Sequence, residues 1–183
     1  TIESRHIDGD KRKDVEERKK PLNAADIVFL CLPDGAAREA VELIENEHTR
    51  VIDASTAHRT TRGWVYGFPE LYRYPGEVIG QASRVANPGC HATGFLAGVA
   101  PLVKLHILPE DYPLTCFSLT GYSGGGKRMI AQYEEGEKDA ALSSPRLYGL
   151  NLCHKHLPEM QQVAGLSQSP VFCPVVDDYY KGM

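Results

Sequence analysis

The chain has 183 residues, 42% hydrophobic and 24% charged, enough for one large domain or two modest ones with an ordinary globular balance. Lys+Arg 20 against Asp+Glu 24 leaves a net charge of -4, and this mild acidity argues against nucleic acid as a partner. No apolar run is long enough to span a bilayer, the polar start TIESRHIDGDKRKD is no signal peptide, and five scattered cysteines fit reduced thiols in a cytoplasm rather than a disulfide framework.

The chain begins with Thr1 and stops at Met183 after an acidic, aromatic segment, so both ends read as cut. Residues 8–20, DGDKRKDVEERKK, carry charges of both signs and are expected to face water. Ile27 to Leu32 is a continuous apolar run closed by Pro33 and Gly35, the pattern of a strand buried on both faces. Residues 36–47 place Ala37, Ala40, Val41 and Ile44 at helical spacing, and Val51-Ile52 starts a second strand that ends in Asp53-Ala54-Ser55. Strand, helix and strand in this order make a βαβ unit with a right-handed crossover. Its LPDG and DAST segments then both lie at the carboxyl edge of a parallel sheet, where open α/β sheets bind ligands.

A loop-rich stretch follows, and residues 80–85 form a short strand leading into NPGC. From His91 to Leu105 the residues Phe95, Leu96, Val99, Leu102 and Val103 form a helical stripe, with Pro101 predicting a kink or an early end. Beyond Pro113 the sequence reads as a strand, a glycine-rich turn, a helix over 128–137, and then a strand, a helix and a strand to the end. The expected class is α/β: a Rossmann-like parallel sheet, incomplete at its N-terminus, over residues 1–86, followed by an α+β lobe over 87–183 with a mostly antiparallel sheet.

Four stretches carry candidate chemistry. In VANPGCHATGF, Cys90 follows a Pro-Gly turn and opens a helix, whose free N–H groups and dipole favour a thiolate. A free cysteine is more often a small core residue; the turn before Cys90 tips the reading towards a nucleophile, whereas Cys31, Cys116 and Cys173 read as core. In CHKHLPEM, zinc would need four ligands and no second pair is near, so no metal is expected. His154 and His156 alternate on an extended segment, so one faces a site and the other does not, and Glu159 falls on the first turn of a helix. A histidine oriented by a carboxylate is the usual partner of a thiol nucleophile. In TGYSGGGKR, three glycines let backbone amides approach a ligand beside Lys127 and Arg128, without the spacing of a P-loop; a flexible turn is an equal reading. In DASTAHR, Arg59 is placed to clamp a phosphate or carboxylate, or to lie on the surface.

The ordered series VFLCLPDGAA, VIDASTAHR, WVYGFPE, VANPGC, GYSGGGK, HKHLPEM and YYKGM resembles the N-acetyl-gamma-glutamyl-phosphate reductases of arginine biosynthesis, in their second, shorter subtype, within the aspartate-semialdehyde dehydrogenase superfamily. The resemblance covers the chain from Asn23 onward. It implies NADPH-dependent reduction of an acyl phosphate to an aldehyde through a thioester on Cys90, with His156 as acid/base. It implies substrate contacts from Arg59, Glu159 and Asn87, cofactor contacts from Leu32, Pro33, Ser55, Ser123 and Gly124, phosphate as co-product, and a homodimer or homotetramer built on the outer face of the second sheet. The family's first strand and glycine-rich turn are not found before Asp26, which implies weak NADPH binding by this polypeptide as it stands. His91-Ala92 stands where Tyr-Pro is expected, and Lys155 where arginine is frequent. The rival readings are an aspartate-semialdehyde type of dehydrogenase and a cofactor-free cysteine hydrolase or acyltransferase; the βαβ unit counts against the latter.

Overall fold

A computed structural model of the chain describes Glu3 and residues 7–183. The chain folds as two compact units, one running to Pro88 and the other from Gly89 to Met183. In the first, Asp14 caps helix α1 (Val15–Ala24) by accepting the Glu16 and Glu17 amides. Strand β1 (Ile27–Leu30), helix α2 (Asp34–Glu42) and strand β2 (Arg50–Asp53) follow, then β3 (Val65–Tyr66), the one-turn α3 (Pro75–Val78) and β4 (Arg84–Ala86). The sheet order is β1-β2-β4-β3 and every pairing is parallel, so β1, α2 and β2 form the expected βαβ unit. Val28, Leu30, Ala37, Ala40, Val51 and Ala57 make its core, with Leu22, Val41, Ile44 and Trp64 packed around them.

Three details of this unit differ from the sequence reading. The strand stops at Leu30, leaving Cys31 exposed. It is buried on one face only, with Ile27 50% and Phe29 68% exposed, because its helical cover lies on the Val28–Leu30 side. Helix α2 ends at Glu42, short of residue 47, because asparagines intercept its continuation. Asn23 Nδ2 donates to the Leu43 carbonyl at 2.7 Å, and Asn23 Oδ1 accepts the Glu45 amide at 2.8 Å.

The second unit opens with α4 (Cys90–Lys104), then β5 (Thr115–Gly121), α5 (Gly126–Glu134), β6 (Arg146–Leu147), α6 (Leu157–Ala164) and β7 (Val171–Asp177). Helix α4 runs through Pro101 to Lys104. The carbonyl that loses its helical partner there belongs to Ala97, which like Pro101 is exposed, so the proline falls on the open side of the helix. The sheet order is β5-β7-β6; β5 pairs with β7 in parallel from Thr115↔Val171 to Gly121↔Asp177, and only Arg146-Leu147 pairs antiparallel. The sheet is therefore mainly parallel, not mainly antiparallel, because two helices lie between β5 and β7 and carry the chain back over the sheet. Helix α5 starts at Gly126, whose φ of 72° belongs to the left-handed region, and ends at Glu134, ahead of the residue expected.

Candidate active site

The second unit gathers its polar groups around the start of α4. Gly89, extended at φ -76° and ψ 146°, is the N-cap, and Cys90 is the first helical residue and exposed. The Gly89 carbonyl closes the first turn by accepting the Thr93 amide at 2.8 Å and the Thr93 hydroxyl at 2.9 Å. Its amide points the other way, donating to Glu159 Oε2 at 3.0 Å. Glu159 is 1% exposed, on the first turn of α6, and its other oxygen lies 3.9 Å from His156 Nε2. One buried carboxylate thus ties the turn that presents Cys90 to the histidine that caps α6. Burying it is tolerable because it accepts a charge-assisted bond from a backbone amide and faces an imidazole.

His154 and His156 do not face opposite ways. Their ring centroids are 4.7 Å apart, and both reach His91, at 5.8 and 5.7 Å. The reason is local: the segment turns at Lys155-His156 and does not extend, and the His156 amide donates back to His154 Nδ1 at 3.2 Å. Burial and the neighbouring Lys155 hold His154 below the usual histidine range. Phe172 closes the group, 4.9 Å from His154 and 5.2 Å from His91. Among the described residues no cluster of histidine, cysteine, aspartate and glutamate is placed to hold a metal.

The first unit builds a separate polar centre at the carboxyl end of β2. Asp53 is fully buried and accepts the Ser55 amide at 2.9 Å, the Ser55 hydroxyl at 2.7 Å and His58 Nδ1 at 2.6 Å. The His58 ring stacks on Trp64 at 4.0 Å. The Asp53 carbonyl accepts the Asn87 amide at 2.8 Å, and Arg59 Nε donates to the Asn87 carbonyl at 2.9 Å. Arg59 and Asn87 are thereby brought together, and Ser55 has its hydroxyl turned inward onto Asp53. Leu32 and Pro33 are exposed after β1, with Pro33 as the N-cap of α2. The Ala54 amide donates to the Leu30 carbonyl at 2.9 Å, and Thr56 donates its amide to Asp34 at 3.0 Å, so the two strand-end segments are joined.

Ser123 and Gly124 lie in the second unit on the 3-10 turn Tyr122–Gly125. The Tyr122 and Ser123 amides donate to the Tyr179 and Tyr180 carbonyls at 3.0 and 2.9 Å, so the C-terminal segment takes up these donors. A Cβ on Gly121 would meet the Tyr179 carbonyl oxygen at 2.7 Å, which is why glycine stands at this crossing. Sequence reasoning missed His91, whose Nδ1 and Nε2 lie within hydrogen-bond distance of the Ser118 and Tyr148 hydroxyls at 2.7 and 2.6 Å, and the Asp53–His58 pair. Histidine next to the cysteine was the one available signal; nothing near Tyr148 in sequence pointed to it.

The chain thus joins a parallel α/β unit with an exposed polar strand edge to an α+β unit in which a cysteine opens a helix whose N-cap amide is held by a buried glutamate facing a histidine. The chain belongs to the semialdehyde dehydrogenase family: residues 90–183 match its dimerisation domain and residues 1–78 its NAD binding domain. It is 50% identical over 186 residues to the N-acetyl-gamma-glutamyl-phosphate reductase of Trichormus variabilis, covering 100% of this chain and 58% of that protein. It is 54% identical over 175 residues to N-acetyl-gamma-glutamyl-phosphate reductase 2 of Pseudomonas putida, covering 94% and 55%. Among solved structures it is similar to aspartate semialdehyde dehydrogenase II of Vibrio cholerae, with a TM-score of 0.57 at 14% identity over 93% of this chain and 55% of that one, a likeness of fold. The chain spans little more than half the length of the relatives it matches. No helix among the described residues is long and apolar enough to cross a membrane.

Proposed function

We propose that the chain carries the thiol chemistry of a cytoplasmic N-acetyl-gamma-glutamyl-phosphate reductase, converting N-acetyl-gamma-glutamyl phosphate, with NADPH, to the 5-semialdehyde and phosphate. The observation that carries the reading is Glu159, which holds the Gly89 amide with one oxygen and faces His156 with the other. That arrangement gives a nucleophile at a helix start and an imidazole steadied by a buried acid, the combination that acyl transfer to sulfur needs.

In this reading the Cys90 thiolate attacks the acyl carbon, a carbon–sulfur bond forms, and the carbon–oxygen bond to phosphate breaks, so phosphate leaves with the electron pair. The α4 N-terminus favours the negative charge of the thiolate; His156 protonates the substrate oxygen as hydride adds to the thioester carbon and takes that proton back as the carbon–sulfur bond breaks, releasing the aldehyde and the Cys90 thiolate. Bound NADPH supplies the hydride. The paired segments after β1 and β2 fit a dinucleotide: they are exposed backbone at the carboxyl edge of parallel strands, beside the α2 N-terminus. Leu32, Pro33 and Ser55 are the cofactor contacts of the first unit, with Ser55 contributing backbone because its hydroxyl serves Asp53; Ser123 and Gly124 are those of the second. Arg59, steadied by the Asn87 carbonyl, and Asn87 itself recognise substrate phosphate and carboxylate, and Glu159 positions His156. The apolar outer face of the second sheet, with Phe117 68%, Val171 56% and Leu147 54% exposed, joins copies into a dimer or tetramer.

The test separates the two half-reactions. Acyl phosphate without cofactor is expected to release a burst of phosphate stoichiometric with Cys90, absent from Cys90→Ala. In reverse, N-acetylglutamate semialdehyde, phosphate and NADP+ are expected to yield NADPH absorbance, lost in the same variant. Continuous phosphate release without cofactor refutes the reductase in favour of a hydrolase. Reverse activity with aspartate semialdehyde alone refutes the substrate.

A further inference from the structure

The thiol chemistry above draws His156 from a segment whose other side has no role. Residues 148–156 run from the end of β6 to the start of α6. Their rings turn inward: the Tyr148 hydroxyl lies 2.6 Å from His91 Nε2, and the Tyr148 and His154 rings are 5.8 Å apart. Between those two residues the chain makes a tight turn, in which the Leu152 amide donates to the Gly149 carbonyl at 3.1 Å. Residues 150–153 are all exposed, Leu150 at 73% and Leu152 at 67%.

Two features set this turn apart from a solvent-facing tip. Tips are ordinarily built from glycine, proline, asparagine, aspartate and serine; here the exposed residues include two leucines, and the stretch from Gly149 to Cys153 carries no charge. Leu152 also has a φ of 56°, in the left-handed region that bulky side chains adopt only at a cost. Strain of that kind persists where surrounding contacts hold it, and the Leu152 side chain is too exposed to draw those contacts from its own chain. The turn also continues an apolar face. Ser118 and Tyr148 reach His91 from one side of the second sheet, so alternation along the strands puts Phe117, Leu119 and Leu147 on the other, with Val171 in the neighbouring strand. All four are exposed, and the turn begins two residues beyond Leu147. The match to the family's dimerisation domain, over residues 90–183, takes in both the face and the turn. The occupant that suits an uncharged, leucine-bearing turn continuous with such a face is a second copy of this chain.

We propose that in the oligomer a second copy covers Leu150 and Leu152, and that this contact fixes the turn and with it His154 and His156, so that the site is complete only when two copies are joined. The proposal rests on the reading of Cys90 and His156 as the reacting pair and of the outer sheet face as the interface, and adds how one depends on the other. Leu150 and Leu152 are then positioning residues. The link is short: Leu152 stands two residues before His154, and the His156 amide donates to His154 Nδ1 at 3.2 Å. In a lone copy the turn relaxes out of its left-handed conformation and the two rings move with it; a misplacement of about 1 Å costs up to about a hundredfold in rate.

The experiment pairs sedimentation velocity with the phosphate burst over a concentration series, for the unaltered chain, Leu150→Asp and Phe117→Lys. Phe117 lies on the sheet face and outside the turn, so it loosens the dimer without touching the histidine segment. Both variants are expected to dissociate at about tenfold or more higher concentration than the unaltered chain. Both should burst about tenfold or more slowly as monomers, and both should recover the rate as dimers re-form. A monomeric variant bursting at the full rate overturns the proposal, because the site is then complete in one copy. Leu150→Asp as dimeric as the unaltered chain also overturns it, because the turn is then outside the interface; should Leu150→Asp not fold, Leu150→Ser takes its place. Failure of the nucleophile reading has a different signature, no burst from the unaltered chain at any concentration. Amide exchange over residues 149–157 then still tests the contact: slower exchange in dimer than in monomer upholds it, and equal exchange overturns it.

Discussion

Replacing Glu159 tests whether one buried carboxylate holds the candidate site together. Glu159→Ala removes the acceptor of the Gly89 amide, at 3.0 Å in a buried position, and the partner 3.9 Å from His156. A hydrogen bond to a charged group contributes about 1.5–3 kcal/mol, and a buried amide left without an acceptor costs a similar amount, so with overlap between the two a loss of about 3 kcal/mol is expected. For a cooperative transition of the whole chain this lowers Tm by about 6–12 °C, and by about twice that where the second unit melts by itself. Glu159→Gln keeps an acceptor for Gly89 and gives up only the charge, so its loss should be about half or less. Calorimetry measures both, and the phosphate burst should slow in both variants, because His156 loses its anionic partner in each. A Glu159→Ala protein melting within a degree of the parent, or a Gln variant as unstable as the Ala variant, would refute the account of Glu159 as the acceptor that fixes the Cys90 turn.

Stability should fall on acidification through His91. Its value near 6.5 in the unfolded chain is pushed down to about 4 in the fold, so the unfolded chain takes up a proton that the folded chain refuses, and the urea midpoint should drop as pH falls from 6.5 towards 4. His154, lowered by burial, acts in the same direction, and His91→Gln should flatten the slope; an unchanged slope would exclude His91 as its source. Gly121→Ala would drive a methyl group into the Tyr179 and Lys181 backbone at 2.7–2.9 Å, so the 179–182 segment should lose hydrogen-exchange protection while α4 keeps its own; uniform protection would refute the crossing. Phe117→Lys, at a site 68% exposed on the outer sheet face, should lower the oligomeric state in sedimentation velocity without lowering Tm, and an unchanged sedimentation coefficient would place the interface elsewhere.

What the sequence disclosed and what it hid follow from the range of the interactions. The βαβ order, the helix beginning at Cys90 and the position of Glu159 on the first turn of α6 were legible because periodicity, a Pro-Gly turn and caps act within a few residues. The early end of α2 was not, because Asn23 reaches it from 20 residues away to bond Leu43. The parallel pairing of β5 with β7 was missed because strand direction depends on how the intervening helices carry the chain back, which no local pattern fixes. The pairing of His154 with His156 on one side was missed because it depends on a turn at Lys155 that no strong turn former announces. Tyr148 and Ser118 carry no local signal at all; they matter only because three elements bring them to the ring of His91.

The two polar centres share a construction that bears on why each unit orders its own chemistry. In the first, buried Asp53 accepts two bonds from Ser55 and one from His58, and so fixes the loop from which Arg59 reaches the Asn87 carbonyl. In the second, buried Glu159 accepts the Gly89 amide and faces His156, and so fixes the turn from which Cys90 emerges. In both cases the backbone that carries a reactive or charged group, exposed Cys90 or half-buried Arg59, is held by a carboxylate that never meets solvent. A buried carboxylate with its bonds satisfied is costly to displace, since moving the loop would strand a charge in the interior. The reactive side chain can then stay open to a ligand while its backbone is kept from wandering, which is the condition for attack by a thiolate at short range without a fresh ordering cost at each turnover.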